Sequence, residues 1–322
     1  MRKLFPAVFF LPLFLLACCT TKNNKQEVNT SKELQPLTLG LMPSMDGLPF
    51  VIARQQGFYD SLGIEVNFIK YYSPIERDAA LQSGSIDGAI TDYSSAILLQ
   101  VKGTRLGLVM QTDGYCQLIA GKESGIRKPE QLKEKNIAVS HNTIIEYATD
   151  KMMEHTGITS NQVNKPEINN IPLRLAMLEN GQIDATFLPA PYTCMAMSNG
   201  GHLLGSTRQM KIAFTGTAFN EKALKEKAEE IKRLITGYNL GVEYLRKHPI
   251  SKWSQLVIED TGLSETQVGS LMLPVYHLAV RPDSCDIANA IHWLQKKRAL
   301  PEGYSSKNLV DTAFAPKPLK PQ

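Results

Sequence analysis

Polar side chains gather at four places, each just after a short apolar run. Ser44, Met45 and Asp46 follow 37–41; Thr91, Asp92, Tyr93 and Ser94 follow 86–90; His141, Asn142 and Thr143 follow 137–139; Pro189, Ala190, Pro191 and Tyr192 follow 183–187. Asp113 and Tyr115 stand between the second and third groups. These residue types suit holding a small molecule better than cutting one. Hydroxyls and carboxylates donate and accept hydrogen bonds, and the free amides at a helix start hold an acceptor or an anion. An aromatic face with a polar tip suits the wall of a small polar site. Ser44, Asp46, Thr91, Asp92, Ser94 and Thr143 would serve equally well as helix caps, and Tyr93 and Tyr192 as core aromatics.

No Ser/His/Asp or metal-ligand spacing stands out. The six His are scattered, and Cys116, Cys194 and Cys285 are far apart without a CxxC pair, so no catalytic residue, metal or cofactor is expected. Buried thiols are the plain reading of those cysteines; a bridge between two of them would leave one over. Asp46, Asp92 and Asp113 occur without an Arg or Lys in the four stretches. That balance leans toward a neutral or amino-bearing ligand, such as a heterocycle; the alternative is an anion held by amides while the Asp residues cap helices.

The N-terminus sets the compartment. Arg2 and Lys3 precede an apolar stretch, 4–16, too short to span a bilayer as a mature helix, which is a secretory pattern. It ends in Leu15-Leu16-Ala17-Cys18, which resembles the bacterial lipobox. The expectation is a signal peptide over 1–17, an acyl chain such as palmitate on Cys18, and a polar tether over 18–36 that buries too little to order itself. The formal charge of +4 includes Arg2 and Lys3, and no basic run is interleaved with aromatics, so no nucleic-acid partner is expected.

Strand-like and helix-like stretches then alternate. Strands are expected at 37–41, 64–69, 86–90, 137–139, 168–171 and 183–187, with helices at 49–59, 75–83, 146–154 and 173–179 between them. This is the pattern of mostly parallel sheets covered by helices. One segment repeats: Leu81-Gln82-Ser83-Gly84-Ser85-Ile86-Asp87 answers to Leu178-Glu179-Asn180-Gly181-Gln182-Ile183-Asp184, an offset of 97 residues. Two similar lobes follow from it. The last third is helical, with one apolar stripe over 224–245, a capping box at Ser264–Gln267 and a further helical face at Ile287, Ile291 and Leu294.

Gly57-Phe58-Tyr59 followed by Leu62-Gly63-Ile64-Glu65-Val66 resembles a segment of the ABC-importer binding proteins for nitrate, sulfonates, taurine and thiamine-pyrimidine precursors. So do 81–92, 126–139, 178–191 and the tail over 291–314. The resemblance implies an α/β, two-lobed periplasmic binding protein type II fold with two crossover strands as hinge. Lobe one would be 37–115 and 217–322, lobe two 121–211, and the hinge would lie near 116–120 and 212–216. It implies a monomeric, non-enzymatic solute-binding lipoprotein on the outer side of a bacterial membrane, with a permease and an ATPase as partners. Its ligand site would draw on Ser44, Met45, Asp46, Thr91, Asp92, Tyr93, Ser94, Asp113, Tyr115, His141, Asn142, Thr143, Pro191 and Tyr192. Two other readings fit the same pattern: a chorismate-dehydratase-like or pyrimidine-synthesis enzyme, and a sensing lipoprotein without an importer.

Overall fold

The computed structural model describes residues 33–315. The signal segment, Cys18 and the tether up to residue 32 lie outside the described residues. From Leu34 onward the chain is one compact unit. No helix among the described residues is long and apolar enough to cross a membrane.

Nine strands form two sheets: β1 (Leu37–Leu41), β2 (Val66–Lys70), β3 (Gly88–Asp92), β4 (Leu106–Gln111), β5 (Cys116–Ala120), β6 (Ile137–Ala138), β7 (Ala185–Pro189), β8 (His202–Ser206) and β9 (Thr215–Asn220). The first sheet has the order β2-β1-β3-β9-β4 and the second β6-β7-β5-β8. In each sheet one strand opposes the rest. β9 is antiparallel to both β3 and β4, and β5 to both β7 and β8. These are the two strands that the chain enters directly from the other sheet. Neither is reached through a covering helix, so neither is held to the parallel direction of a βαβ unit. The chain therefore crosses at 112–115 and at 207–214. The stretch 116–120, near which the resemblance puts one hinge segment, is a buried strand paired on both sides that follows directly on the first crossing.

The helices are α1 (Leu48–Gln55), α2 (Phe58–Ser61), α3 (Pro74–Ser83), α4 (Tyr93–Val101), α5 (Ile144–Thr156), α6 (Ile171–Glu179), α7 (Tyr192–Ser198), α8 (Glu221–Glu226), α9 (Ala228–Lys247), α10 (Ser254–Thr261), α11 (Glu265–Gly269) and α12 (Ser284–Lys296). The expected helix over 49–59 is broken at Gly57, whose φ of +68° no L side chain adopts readily. The stripe over 224–245 is likewise divided, at Lys227. The expected strand over 168–171 is not formed: Asn170 caps α6 through Leu173 N (2.9 Å), so Ile171 opens a helix. The capping box at Ser264 is present, on α11.

The repeated Ile-Asp junction does one structural job twice. Asp87 accepts from Thr38 N at 2.8 Å and Asp184 from Asn136 N at 2.8 Å, while the backbone N of each donates to the same residue's carbonyl. Each carboxylate thus ties the end of one βαβ unit to the start of the neighbouring strand. Lys227 adds an ion pair to Asp87 (2.8 Å).

Candidate functional site

The cleft lies where the strand ends of both sheets face each other, the edge at which open α/β sheets bind ligands. The loop after β1 contributes Ser44 and Asp46, and the end of β3 contributes Thr91 and Asp92. Gly114 and Tyr115 come from the first crossing, and Ser140 and Thr143 from the β6–α5 junction. The first turns of α3 and α6 bring in Pro74, Arg77, Ile171 and Arg174. Met42, Ile90, Cys116, Ile144, Ile145, Pro189 and Thr215 complete the wall. At the rim the lobes touch, with Ile171 N donating to Tyr72 O at 3.0 Å.

Of the residues singled out in the sequence, Ser44, Asp46, Thr91, Asp92, Tyr115 and Thr143 line this cleft. Asp46 is buried and accepts from the hydroxyls of Ser44 and Thr112, the latter at 3.2 Å. Burial raises its pKa above the usual carboxylate value, against the pull of those two donors. Asp92 is a helix cap: it accepts from Ser94 Oγ (2.6 Å), Ser95 N (2.9 Å) and Ser95 Oγ (2.9 Å), which fills both oxygens. Thr143 likewise caps α5, accepting from Ile145 N at 3.2 Å. Tyr115 donates to Met272 O (2.5 Å) and lies under the Arg208 guanidinium, 4.2 Å from the ring centre.

The others are placed elsewhere. Asp113 accepts from His277 N (2.8 Å) and faces His277 Nδ1 (2.8 Å), so it anchors the 270–283 segment. Tyr93 is fully buried in an aromatic row, with Phe214 at 5.8 Å. Phe214 continues the row to Tyr147 (4.2 Å) and Tyr147 to Trp293 (5.4 Å). Ser94 donates to the Asp92 cap, and Met45 packs in the first-sheet core. His141 is exposed beside Glu146, 3.4 Å away, and Asn142 has φ +60° with its amide on Glu146 (2.7 Å). Pro191 follows a cis peptide at the start of α7, and Tyr192 packs beside the second-sheet core.

Four polar groups of the wall escaped the sequence reading: Arg77, Arg174, Ser140 and Thr215. The arginines matter most, because the lean toward an amino-bearing ligand assumed a site without cations. Neither lies in a loop after a strand; each projects from a helix. The 97-residue offset, carried four residues back from Leu81 and Leu178, would have paired them. Gly114 also belongs to the floor: a Cβ there would lie 2.6 Å from Thr215 Oγ1 and 2.8 Å from Asp46 Oδ2.

Solved structures share this architecture. The alkanesulfonate-binding protein SsuA of Xanthomonas axonopodis pv. citri, bound to MOPS, is similar with a TM-score of 0.72 at 17% identity, over 84% of this chain and 96% of that one. The nitrate-binding protein NrtA of Synechocystis PCC 6803 is similar with a TM-score of 0.70 at 13% identity, over 84% and 83%. These likenesses show the two-lobed periplasmic-binding-protein fold. A Haemophilus influenzae protein named for thiamine biosynthesis is 22% identical over 302 residues, 88% of this chain and 90% of that one. Residues 44–251, more than half of the chain, match the family described as NMT1/THI5 like, and the chain belongs to that family.

Proposed function

We propose that this protein is the solute-binding component of an ABC-type importer, held at the outer side of a bacterial membrane by a lipid on Cys18, capturing one small polar molecule between its lobes and passing it to a permease and its ATPase. The observation that carries this reading is the cleft itself. Buried hydroxyls, two carboxylates and two guanidinium groups, drawn from both lobes, converge on one cleft, and both chain crossings adjoin it. Two short crossings are a geometry in which lobes open and close on a ligand. The binding proteins for alkanesulfonate and nitrate named above support the same reading.

A holding role also suits the one thiol of the wall. Burial pushes Cys116 up to about 12, so it stays a thiol rather than the nucleophilic thiolate. Native mass spectrometry of the full chain in detergent is expected to show one small molecule per chain, released unchanged on unfolding. A bound compound recovered in chemically altered form would favour the enzyme reading instead. Labelled fatty acid should be incorporated into the wild type and not into Cys18→Ala; equal labelling of both would remove the anchor from the proposal.

A further inference from the structure

Arg77 and Arg174 occupy equivalent positions on α3 and α6, one per lobe, and are 3% and 1% exposed. Their surroundings differ in one respect. Arg77 donates through Nε (2.8 Å) and Nη2 (2.7 Å) to its own neighbour Asp78. The residue that answers to Asp78 in the second lobe is Leu175. Among the described residues no carboxylate lies within 4.0 Å of Arg174: its Nη1 donates to Ser140 Oγ (3.0 Å) and to Ile168 O (2.9 Å), both neutral, and its buried Nε has no partner. Burial lowers its pKa to about 10, which still leaves it charged at neutral pH.

A buried cation without a counter-ion is costly, and buried charges are ordinarily paired. Arg174 lines the cleft, so the solute can be that partner. Ser140 and Thr143 stand beside it, and the thirteen-residue α5 presents the positive end of its dipole there. The opposite wall carries Asp46, which repels a second anionic group.

We infer that the solute carries a single oxyanion group, seated on Arg174 against the second lobe, with its neutral or hydrogen-donating end toward Asp46 in the first. Arg77, neutralised by Asp78, does not make a second such seat. The inference rests on the reading of the cleft as a solute site. It narrows the ligand to an organic carboxylate or an organic sulfonate.

Thermal-shift and calorimetric titrations of the full chain in detergent, at constant ionic strength, test it with acetate, methanesulfonate, nitrate and sulfate as probes. The wild type is expected to respond saturably to at least one singly charged probe and less to sulfate; whether planar acetate or tetrahedral methanesulfonate binds tighter separates a carboxylate from a sulfonate. Arg174→Gln, which keeps neutral donors, should weaken that response about 10- to 100-fold, the loss of one charge-assisted contact, and Arg174→Lys should restore part of it. Asp78→Asn frees Arg77, and should shift the preference toward sulfate; this variant reads the same idea if Arg174→Gln does not fold. A folded Arg174→Gln with the wild-type response, or a wild type without a saturable anion response, overturns the inference. If native mass spectrometry still finds a bound neutral or cationic molecule, the solute-binding reading survives that failure; if it finds none, both fall.

Discussion

Asp46, Asp92 and Asp113 share a side chain and differ in what surrounds it. Asp92 has both oxygens committed to the first turn of α4, and Asp113 is committed to His277. Their replacement should therefore cost stability: Asp92→Ala is expected to lose roughly 0.5–2 kcal/mol, the ordinary value of a helix cap, in urea unfolding while keeping solute affinity within a few-fold. Asp46 faces the cleft with two hydroxyls as its only side-chain donors, so Asp46→Asn should leave the unfolding midpoint near native and weaken solute binding about tenfold or more. A stable Asp92→Ala that no longer binds, or an Asp46→Asn that binds normally, would exchange these roles. Sequence placed all three at strand ends or beside a crossing; the partners that divide capping from cleft work come from other segments.

Among the elements, α9 is seated on α1 and α2 by absent side chains. A Cβ on Gly241 would lie 2.1 Å from Pro49 O, and one on Gly237 would lie 2.2 Å from the Tyr59 ring. Backbone cannot yield as a flexible side chain can, so Gly241→Ala should force the helices apart and cost about 1–3 kcal/mol in chemical denaturation. Gly269→Ala is the control: nothing lies within 4 Å of its would-be Cβ, and it should be neutral within about 0.5 kcal/mol. Similar losses in both variants would show that close approach is not the cause, since Ala is the better helix former of the two. The apolar stripe of this helix was legible from its period. The partner that makes its two glycines necessary was not.

Across the whole molecule, α12 joins the lobes on the side of the crossings. Trp293 Nε1 donates to Asp150 Oδ2 at 2.9 Å, Lys297 pairs with Glu146, and Lys296 reaches Glu154 at 3.4 Å. Although burial pushes Glu146 upward, Lys297, the Asn142 amide and His141 together hold it below the usual range. Asp286, at the start of α12, faces a groove shared with Tyr147, Lys151 and His155. Burial first, and Asp283 second, push it up from 3.8 to about 6. A carboxyl raised in the folded state favours folding below its unfolded value, and that contribution is lost as the pH rises through the folded one. Asp286→Asn should therefore gain on the order of 1 kcal/mol at pH 7.5, allowing for solvent screening at this half-open position, and nothing at pH 3.5. An equal gain at both pH values would mean that the charge is not the cause.

The alternation of strands and helices, the duplicated junction at Asp87 and Asp184, and the strand-end loops that open onto the cleft are legible in residue order alone. Each depends on near neighbours in the chain: the period of apolar residues, a glycine after a helix, a polar cap. Residue order did not determine where the chain crosses between sheets, because Leu118, Ile119 and Ala120 are as apolar as any crossing strand, and only pairing to β7 and β8 makes them core. Nor did it determine the charge of the cleft. Arg77 and Arg174 sit on helices, away from the strand-end loops, and folding turns both guanidinium groups inward, one beside its chain neighbour Asp78 and the other without a carboxylate partner among the described residues. Pairing across sheets and the desolvation of a charge are set by distances that chain order does not contain, so both emerge only when the chain folds.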